Sequence, residues 1–333
     1  MPADIKSRGK LPLARGFSGM PAPLFGAALG LTGLSLAWQR ADGIGFFPAY
    51  GVSSVLLTLA GMVSLLIFAG YSLKLTRQPD AVQEDMQHPA RVTSLGAAPM
   101  TLMLLPAGML PYLSQQHDAL AFVWLVGAFA HLGLAGWLLA RWTRVRPTLS
   151  DVTPAWFVPL VGMAVAASAG GDLGYTALAT GITLAGTFAW IAMLPFVIWR
   201  LVAGPALPDA VVPTIFVLVA PPALVALGLG SLTDPTGDTV RLAALFFYVS
   251  CAFLVPVTVV IIPRAKDISA LGYTHGWWSA TFPLAALASA GLQTQAMLPT
   301  ALHNAMAAAG LALVTLVTAT VALASLRSVI QRP

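Results

Sequence analysis

Aromatic and hydroxyl side chains lie close to prolines in several apolar segments of this sequence. Phe157 precedes Pro159 by two residues, and Phe282 directly precedes Pro283. Hydroxyl groups lie in the same kind of segment, at Thr101, Ser168, Thr214, Ser279 and Thr281. No aspartate, glutamate, lysine or arginine lies near the middle of any such segment. Helix ends at prolines, hydroxyls and the positive edges of aromatic rings offer partial charges, which favour weak contacts with an anion over acid–base catalysis.

The elements that position these residues are predicted to be membrane-spanning helices. The chain has 333 residues, of which 58% are apolar and 9% are charged, against roughly 25% charged residues in an ordinary soluble domain. A helix needs about 20 apolar residues to cross a hydrocarbon layer roughly 30 Å thick. Such a stretch recurs ten times, which predicts an all-α integral membrane protein. The predicted spans are 21–38, 49–73, 95–113, 119–142, 155–171, 176–202, 208–230, 239–262, 276–292 and 299–326.

The basic residues predict how these spans are oriented. With ten spans both termini lie on one side, and 15 of the 17 lysines and arginines fall in the termini and loops of that side. The two exceptions are Arg40 and Arg241. The positive-inside rule therefore predicts cytoplasmic tails at 1–20 and 327–333 around a transmembrane domain at 21–326. Basic loops facing anionic lipid headgroups explain the high pI, so no nucleic-acid partner is expected.

Prolines distinguish the odd-numbered spans from the even-numbered ones. The five odd spans hold eleven prolines and the five even spans hold three. Because carbonyls freed by proline are tolerated at membrane depth only against protein or a water-filled cavity, the odd helices should be inside. One proline in each odd span recurs at gaps of 76, 60, 63 and 61 residues, namely Pro23, Pro99, Pro159, Pro222 and Pro283. This period predicts five helical hairpins in a quasi-fivefold ring, with kinked odd helices around a central pore.

The odd spans resemble the tellurite-resistance/dicarboxylate transporter family, which includes the slow-type anion channels of plant guard cells, malate permeases and the sulfite exporters of yeasts. The matching motifs are Pro-Ala-Pro-Leu-Phe-Gly at 21–26, His-Pro-Ala-Arg at 88–91, Trp-Phe-Val-Pro at 156–159, Ala-Pro-Pro at 220–222 and Trp-Trp-Ser-Ala-Thr-Phe-Pro at 277–283. The resemblance covers nearly the whole chain. It implies ten helices around an anion pathway, and a homotrimer with one pore per subunit in a bacterial cytoplasmic membrane.

The resemblance also implies a phenylalanine on the ninth helix that plugs the pore, and Phe282 is the residue assigned to this gate. From spacing alone, the alternative is that Phe282 packs between helices. The expected positions along the pore and at the helix kinks are Pro23, Phe25, Pro99, Phe157, Pro159, Phe216, Pro222, Ser279, Thr281 and Pro283.

Histidines and the single cysteine indicate no metal site or cofactor. His131 and His303 are expected to hydrogen-bond to neighbouring helices or to lie at the membrane interface. His275, at the cytoplasmic mouth of the ninth span, is the histidine with a possible place in the pathway, whereas Trp277 and Trp278 are expected to be interfacial anchors. One cysteine cannot form a disulfide within the chain, and no ligand spacing predicts a metal.

Three classes of function are compatible with these features. The first is an anion channel of low basal conductance for small inorganic or carboxylate anions. The second is a secondary transporter or exporter of dicarboxylate, sulfite or tellurium oxyanions. The third, an integral membrane enzyme, is disfavoured because the ionisable residues needed for acid–base work are missing from the interior.

Overall fold

The computed structural model describes residues 19–46, 51–232 and 236–331. Within these ranges the chain is helical and forms no β-strand, which confirms the predicted all-α class. The predicted N-terminal tail lies almost wholly outside the described residues. At the other end, the last helix runs to Ile330 and so continues past the predicted boundary at 326. Arg327 lies in its final turn, where a cation favours the negative end of the helix dipole.

Fourteen α-helices are described, joined in places by 3₁₀ turns. They are α1 (Phe25–Gly43), α2 (Val52–Arg77), α3 (Pro79–Gln87), α4 (Pro89–Ser94), α5 (Ala97–Met109), α6 (His117–Val145), α7 (Phe157–Val161), α8 (Thr176–Ala203), α9 (Ala220–Leu232), α10 (Gly237–Ala252), α11 (Leu254–Ile261), α12 (Ala265–Ala270), α13 (Thr281–Met297) and α14 (Ala301–Ile330). The short helices α3 and α4 occupy 76–94, the most polar linker of the sequence, so this linker is folded.

Seven helical segments in the described part are long and apolar enough to cross a membrane. They are Val52–Arg77, Pro89–Met109, Ser114–Val145, Thr176–Ala203, Asp209–Ser231, Gly237–Ile261 and Ala301–Ile330. The predicted first, fifth and ninth spans correspond to α1, to Pro154–Ser168 and to α13, which are shorter or less apolar. Pro154–Ser168 is rich in 3₁₀ turns, which rise about 2.0 Å per residue, so it still extends roughly 27 Å. For these three segments a membrane crossing stays a prediction.

Burial divides the spans into two groups. In the most apolar 18-residue stretch of each span, the share of buried residues is 83% for Asp209–Ser231 and 61% for Pro89–Met109. In the five even-numbered spans this share is 22 to 39%. The even-numbered spans expose large apolar side chains, including Leu65, Phe122, Phe188, Val259 and Leu316. An outer surface of this kind suits lipid tails. The odd-numbered spans therefore lie inside the even-numbered ones.

The inner segments contact one another in a closed order. Helix α1 packs against α5 and α13, α5 packs against the 3₁₀ stretch Gly162–Ser168, this stretch packs against α9, and α9 packs against α13. Each also packs against the outer helix that follows it in sequence: α2, α6, α8, α10 or α14. This pairing is the one that five successive helical hairpins produce, and it leaves space between the inner segments.

The repeated prolines lie at helix starts. Pro99, Pro159, Pro222 and Pro283 are each the third residue of an α-helix, namely α5, α7, α9 and α13, and Pro23 lies in the 3₁₀ turn just before α1. In the first turn of a helix the backbone N–H has no partner within the helix, so a proline there sacrifices no hydrogen bond. The kinks predicted within long helices are therefore junctions where an α-helix begins.

Candidate functional site

A cavity of about 220 Å³ lies between all five inner segments, and we call it the Arg91 cavity. Its wall includes four residues that the sequence analysis placed along the pore: Pro23, Phe157, Ser279 and Pro283. The 3₁₀ stretch Asp209–Val219 contributes Val211, Thr214 and Val217, which are three residues apart, together with Ala210. Such a helix has three residues per turn, so residues three apart share one face.

A second cavity, of about 270 Å³, lies between the same inner segments and is named here the Arg40 cavity. Its wall is more polar, with Gln39, Arg40, Ser168, Asp172 and Ser289 among the lining residues. On α1, Gly26 and Leu29 line the Arg91 cavity, and Gly33, Leu36 and Arg40 line the Arg40 cavity. Helical spacing of three and four residues thus places both cavities along one face of α1.

Phe282 and Leu224 line both cavities. The Phe282 ring is buried and lies against Gly33 of α1, where an added β-carbon would come within 3.0 Å of ring atom Cδ2. An aromatic ring and an isobutyl group therefore form the partition between two spaces that contain polar side chains. The sequence singled out Phe282, but it carried no signal for Leu224, since leucine recurs throughout the apolar segments.

Three expected pore residues lie elsewhere because neighbouring elements take up their side chains. Phe25 points between α1 and α2, where its ring packs edge-on against the rings of Phe68 and Tyr71. Phe216 lies off the face of the 3₁₀ stretch that lines the Arg91 cavity and packs, partly buried, against the apolar core. Thr281 is fully buried, and its hydroxyl donates to the Trp278 carbonyl at 2.8 Å.

Three expected prolines also lie outside both cavity walls. The carbonyl of Pro99 faces α6, where it would be 2.9 Å from a β-carbon at Gly127. The backbone of Pro159 packs against Gly96, at 3.0 Å from the corresponding β-carbon position. In α9 it is Pro221 that lines the Arg91 cavity, and Pro222 is rotated away from it by one helical step. These prolines place the helix starts but do not face either cavity.

A buried ion cluster adjoins the Arg91 cavity. Lys74 Nζ and Arg91 Nη1 both pair with the Asp85 carboxylate, at 2.5 and 2.9 Å, and Lys74 and Asp85 are buried. Tyr71 donates its hydroxyl to the same carboxylate at 3.1 Å. Arg91 also lines the cavity. From the sequence, Lys74 and Arg91 were expected among the basic residues of the loops.

His88 caps α4 next to this cluster. Its Nδ1 accepts a hydrogen bond from the Ala90 N–H at 3.3 Å. Partial burial, followed by the neighbouring Arg91 cation, lowers the pKa of His88 below its ordinary value. The imidazole is therefore neutral at neutral pH, which leaves Nδ1 free to accept this hydrogen bond.

The hydroxyls of the Arg91 cavity are bonded to their own backbone. Ser279 Oγ donates to the Gly276 carbonyl at 2.7 Å, and Thr214 Oγ1 donates to the Val211 carbonyl at 2.6 Å. Since a hydroxyl has one hydrogen, these groups present only lone pairs to the cavity. In the Arg40 cavity, by contrast, the Ser168 and Ser289 hydroxyls have no hydrogen-bond partner among the residues that the structure describes.

The histidines and tryptophans have mostly structural environments. His303 contacts the Tyr248 hydroxyl and the Leu298 carbonyl, as expected for a structural role. His131 is fully buried on α6, and within the described residues neither ring nitrogen has a hydrogen-bond partner, so the expected hydrogen bond to a neighbouring helix was wrong. His275 lines the Arg91 cavity and contacts the Tyr273 hydroxyl at 3.1 Å. The expectation of an interfacial anchor was wrong for Trp278, which is buried in the cavity wall and donates to Tyr273 at 3.0 Å.

Comparison with known proteins identifies the family. Residues 19–326 match the SLAC1 family model, described as voltage-dependent anion channel. The chain belongs to this family. This membership confirms the resemblance drawn from the proline motifs, and it agrees with a multi-pass membrane protein.

Within the described ranges no group of three or more histidine, cysteine, aspartate or glutamate residues could hold a metal ion.

Individual relatives are similar over much of the chain. It is 23% identical to the S-type anion channel SLAH3 of Arabidopsis thaliana over 307 residues, which cover 89% of this chain and 46% of the relative. It is 22% identical to the guard cell S-type anion channel SLAC1 of the same plant, over 79% of this chain and 48% of the relative. A tellurite resistance protein TehA homolog of Haemophilus influenzae is 30% identical over 191 residues, 55% of each chain. The chain thus spans about half the length of these curated relatives.

Proposed function

We propose that this protein is an anion channel that passes small inorganic or carboxylate anions through the two cavities, with Phe282 as the gate between them. The observation that carries the proposal is that the Phe282 ring bounds both cavities, which lie between the same five inner segments. The relatives named as S-type anion channels support the same function.

An apolar partition blocks ions in two ways. The Phe282 ring fills space against Gly33 and so closes the path sterically, and neither Phe282 nor Leu224 can replace water around an ion. A change of rotamer at Phe282 would move the ring without unfolding α13. Low basal conductance with a side-chain gate is the behaviour this arrangement supports.

The proposed topology has ten spans with both termini in the cytoplasm. The positive-inside rule then places the Arg91 cavity towards the cytoplasm and the Arg40 cavity towards the outside. The proposed assembly is a homotrimer in a bacterial cytoplasmic membrane, held together by the even-numbered helices. A monomeric mass both in mild detergent and in lipid discs would contradict the trimer.

A proton-coupled carrier of dicarboxylate, sulfite or tellurium oxyanions is the second candidate. It is favoured by one observation, the carboxylate of Asp172 on the wall of the Arg40 cavity, because coupling to protons needs a group that can exchange them. The tellurite resistance name of the Haemophilus influenzae relative points to the same class. Asp172 is exposed, however, and among the described residues no basic side chain forms a salt bridge with it.

Purified protein in liposomes distinguishes the two candidates. The vesicles are loaded in turn with chloride, nitrate, sulfite or malate, and efflux is followed at a fixed potential and at zero potential. Flux driven only by the gradient of the anion itself, at rates too high for alternating access, supports the channel. Saturable flux that requires a proton gradient supports the carrier, and flux no greater than in protein-free vesicles contradicts both.

A further inference from the structure

Arg40 is held in a fixed position at the end of α1. Its Nη1 donates to Gln293 Oε1 at 3.2 Å, and Gln293 Nε2 donates to the Ala226 carbonyl at 2.8 Å. The second bond fixes which end of the amide faces Arg40. Gly230 makes room for this arrangement, since a β-carbon there would lie 2.3 Å from Gln293 Nε2. Three inner helices, α1, α9 and α13, thus orient one guanidinium.

The Arg40 guanidinium keeps most of its hydrogen-bonding capacity. It has five N–H donors, and one of its nitrogens is bonded to Gln293. Among residues 19–46, 51–232 and 236–331, no carboxylate lies within 4.0 Å of it. Asp172 lines the same cavity and is exposed at its wall, so its charge acts on the guanidinium without a direct contact.

Two hydroxyls complete the donor set of the cavity. Ser289 is 6% exposed and lines the Arg40 cavity, yet its hydroxyl has no hydrogen-bond partner within the described ranges. Ser168 lines the same cavity with its hydroxyl also unpartnered there. Because neither hydroxyl hydrogen is used within the described ranges, both are available to water or to an anion in the cavity. The cation and the two hydroxyls are all able to donate towards the same space.

We propose that the Arg40 cavity holds an anion-binding site in which Arg40, Ser168 and Ser289 donate to one small, partly hydrated anion. The inference rests on the proposed function for the role of the site in conduction, where it concentrates anions beside the Phe282 gate. Binding uses a fixed guanidinium together with neutral donors, so it is strong enough to attract an anion and weak enough to release it. Asp172 opposes binding and limits the occupancy.

The first test measures conductance in the Phe282→Ala background, where the gate does not limit flux. Chloride conductance is recorded in lipid bilayers at about 20 mM and about 1 M salt, because charges are screened beyond roughly 3 Å at the higher concentration. We expect Arg40→Gln to lower conductance severalfold at low salt and to have little effect at high salt. Arg40→Lys should retain most of the conductance, and Asp172→Asn should raise it at low salt.

The second test measures binding without flux. Chloride, added while ionic strength is kept constant with gluconate, should raise the unfolding temperature of the wild-type protein, because a ligand bound to the folded state stabilises it. Arg40→Gln and Ser289→Ala should abolish most of this shift. Arg241→Gln, which changes an exposed residue of α10 that lines neither cavity, should retain it. Arg40→Gln preserves a hydrogen-bonding side chain opposite Gln293, and Asp172→Asn alters an exposed residue, so at least one informative variant is expected to fold.

The outcomes separate this inference from the proposed function. If no variant passes anions but chloride still raises the unfolding temperature and Arg40→Gln abolishes this shift, the proposed channel function is wrong and the proposed binding site is supported. If Phe282→Ala conducts chloride while Arg40→Gln and Asp172→Asn change neither conductance nor stabilisation, the channel stands and the binding site is overturned.

Discussion

The two cavities on either side of Phe282 are similar in size but differ in electrostatics. In the Arg91 cavity the cation is paired with Asp85, and the Ser279 and Thr214 hydroxyls donate to their own backbone. In the Arg40 cavity the cation has only a neutral amide partner among the described residues, and two hydroxyls are unpartnered. Polar side chains around the two cavities are therefore not equivalent, because only a donor without a protein partner is available to an anion.

The largest effect is expected from removing the anion of the buried cluster. Asp85→Asn leaves Lys74 buried without a counter-ion, and breaking a buried pair in this way costs about 3–5 kcal/mol. We expect a clear fall in the unfolding temperature in detergent. The change also removes the carboxylate that pairs with Arg91, so both cavities would then contain an arginine without a carboxylate partner.

Asp118→Asn is the matched control for this prediction. Asp118 is fully exposed on α6, with a weak contact to His117 at 3.6 Å, so its replacement should leave the unfolding temperature unchanged. Equal unfolding temperatures for Asp85→Asn and Asp118→Asn would show that the cluster does not stabilise the fold.

A methyl group added beside the partition is expected to have the next largest effect. A β-carbon at Gly33 would lie 3.0 Å from Phe282 Cδ2 and 3.0 Å from Ala285 Cβ. Gly33→Ala should lower basal anion flux severalfold in liposomes, because it fills the space into which the ring can move. The same change in the Phe282→Ala background should have little effect.

Gly133→Ala on the outer helix α6 provides the comparison, since no heavy atom of another described element lies within 4 Å of its β-carbon position. A Gly33→Ala protein that conducts like Gly133→Ala would show that the space beside the ring does not control flux.

The smallest effects are expected from the cavity hydroxyls, and they should differ between the cavities. Ser279→Ala removes a hydroxyl whose hydrogen is already bonded to Gly276, so anion permeability ratios should change by less than about twofold. Ser289→Ala removes a free donor and should change the ratios more. Thr281→Val should change nothing, because Thr281 lies outside both cavities. Reversal potentials under mixed-anion gradients measure all three, and a larger shift for Thr281→Val than for Ser289→Ala would contradict this ranking.

The sequence predicted the architecture better than the lining of the site. The uneven distribution of prolines correctly placed the odd-numbered spans inside, because proline in a spanning helix needs protein or water around it. Side-chain directions were less predictable. Phe216 was expected along the pore, but the stretch around it is a 3₁₀ helix, whose period of three gives that face to Thr214 and Val217.

Charged residues were misjudged for a related reason. Arg40 lies just past a predicted span and Asp85 lies in a polar linker, so neither was expected to adjoin the site. Burial of Asp85 depends on α3 folding back towards α2, and the position of Arg40 depends on Gln293, which is 253 residues away in sequence. Pairings at such separation leave no local pattern, although the spacing of Gly33, Leu36 and Arg40 on one helical face was visible in the sequence.

The central claim is that Phe282 closes the path between the two cavities. Its most direct test is anion flux through folded, correctly assembled Phe282→Ala protein in liposomes, compared with wild type and with Phe129→Ala. Phe129 is 59% exposed on the outer helix α6, so its loss controls for the removal of a phenyl ring. We predict that Phe282→Ala raises flux severalfold or more for several anions and that Phe129→Ala does not. If Phe282→Ala carries the same flux as the wild type for every anion tested, Phe282 is not a gate and is only a packing residue of the core.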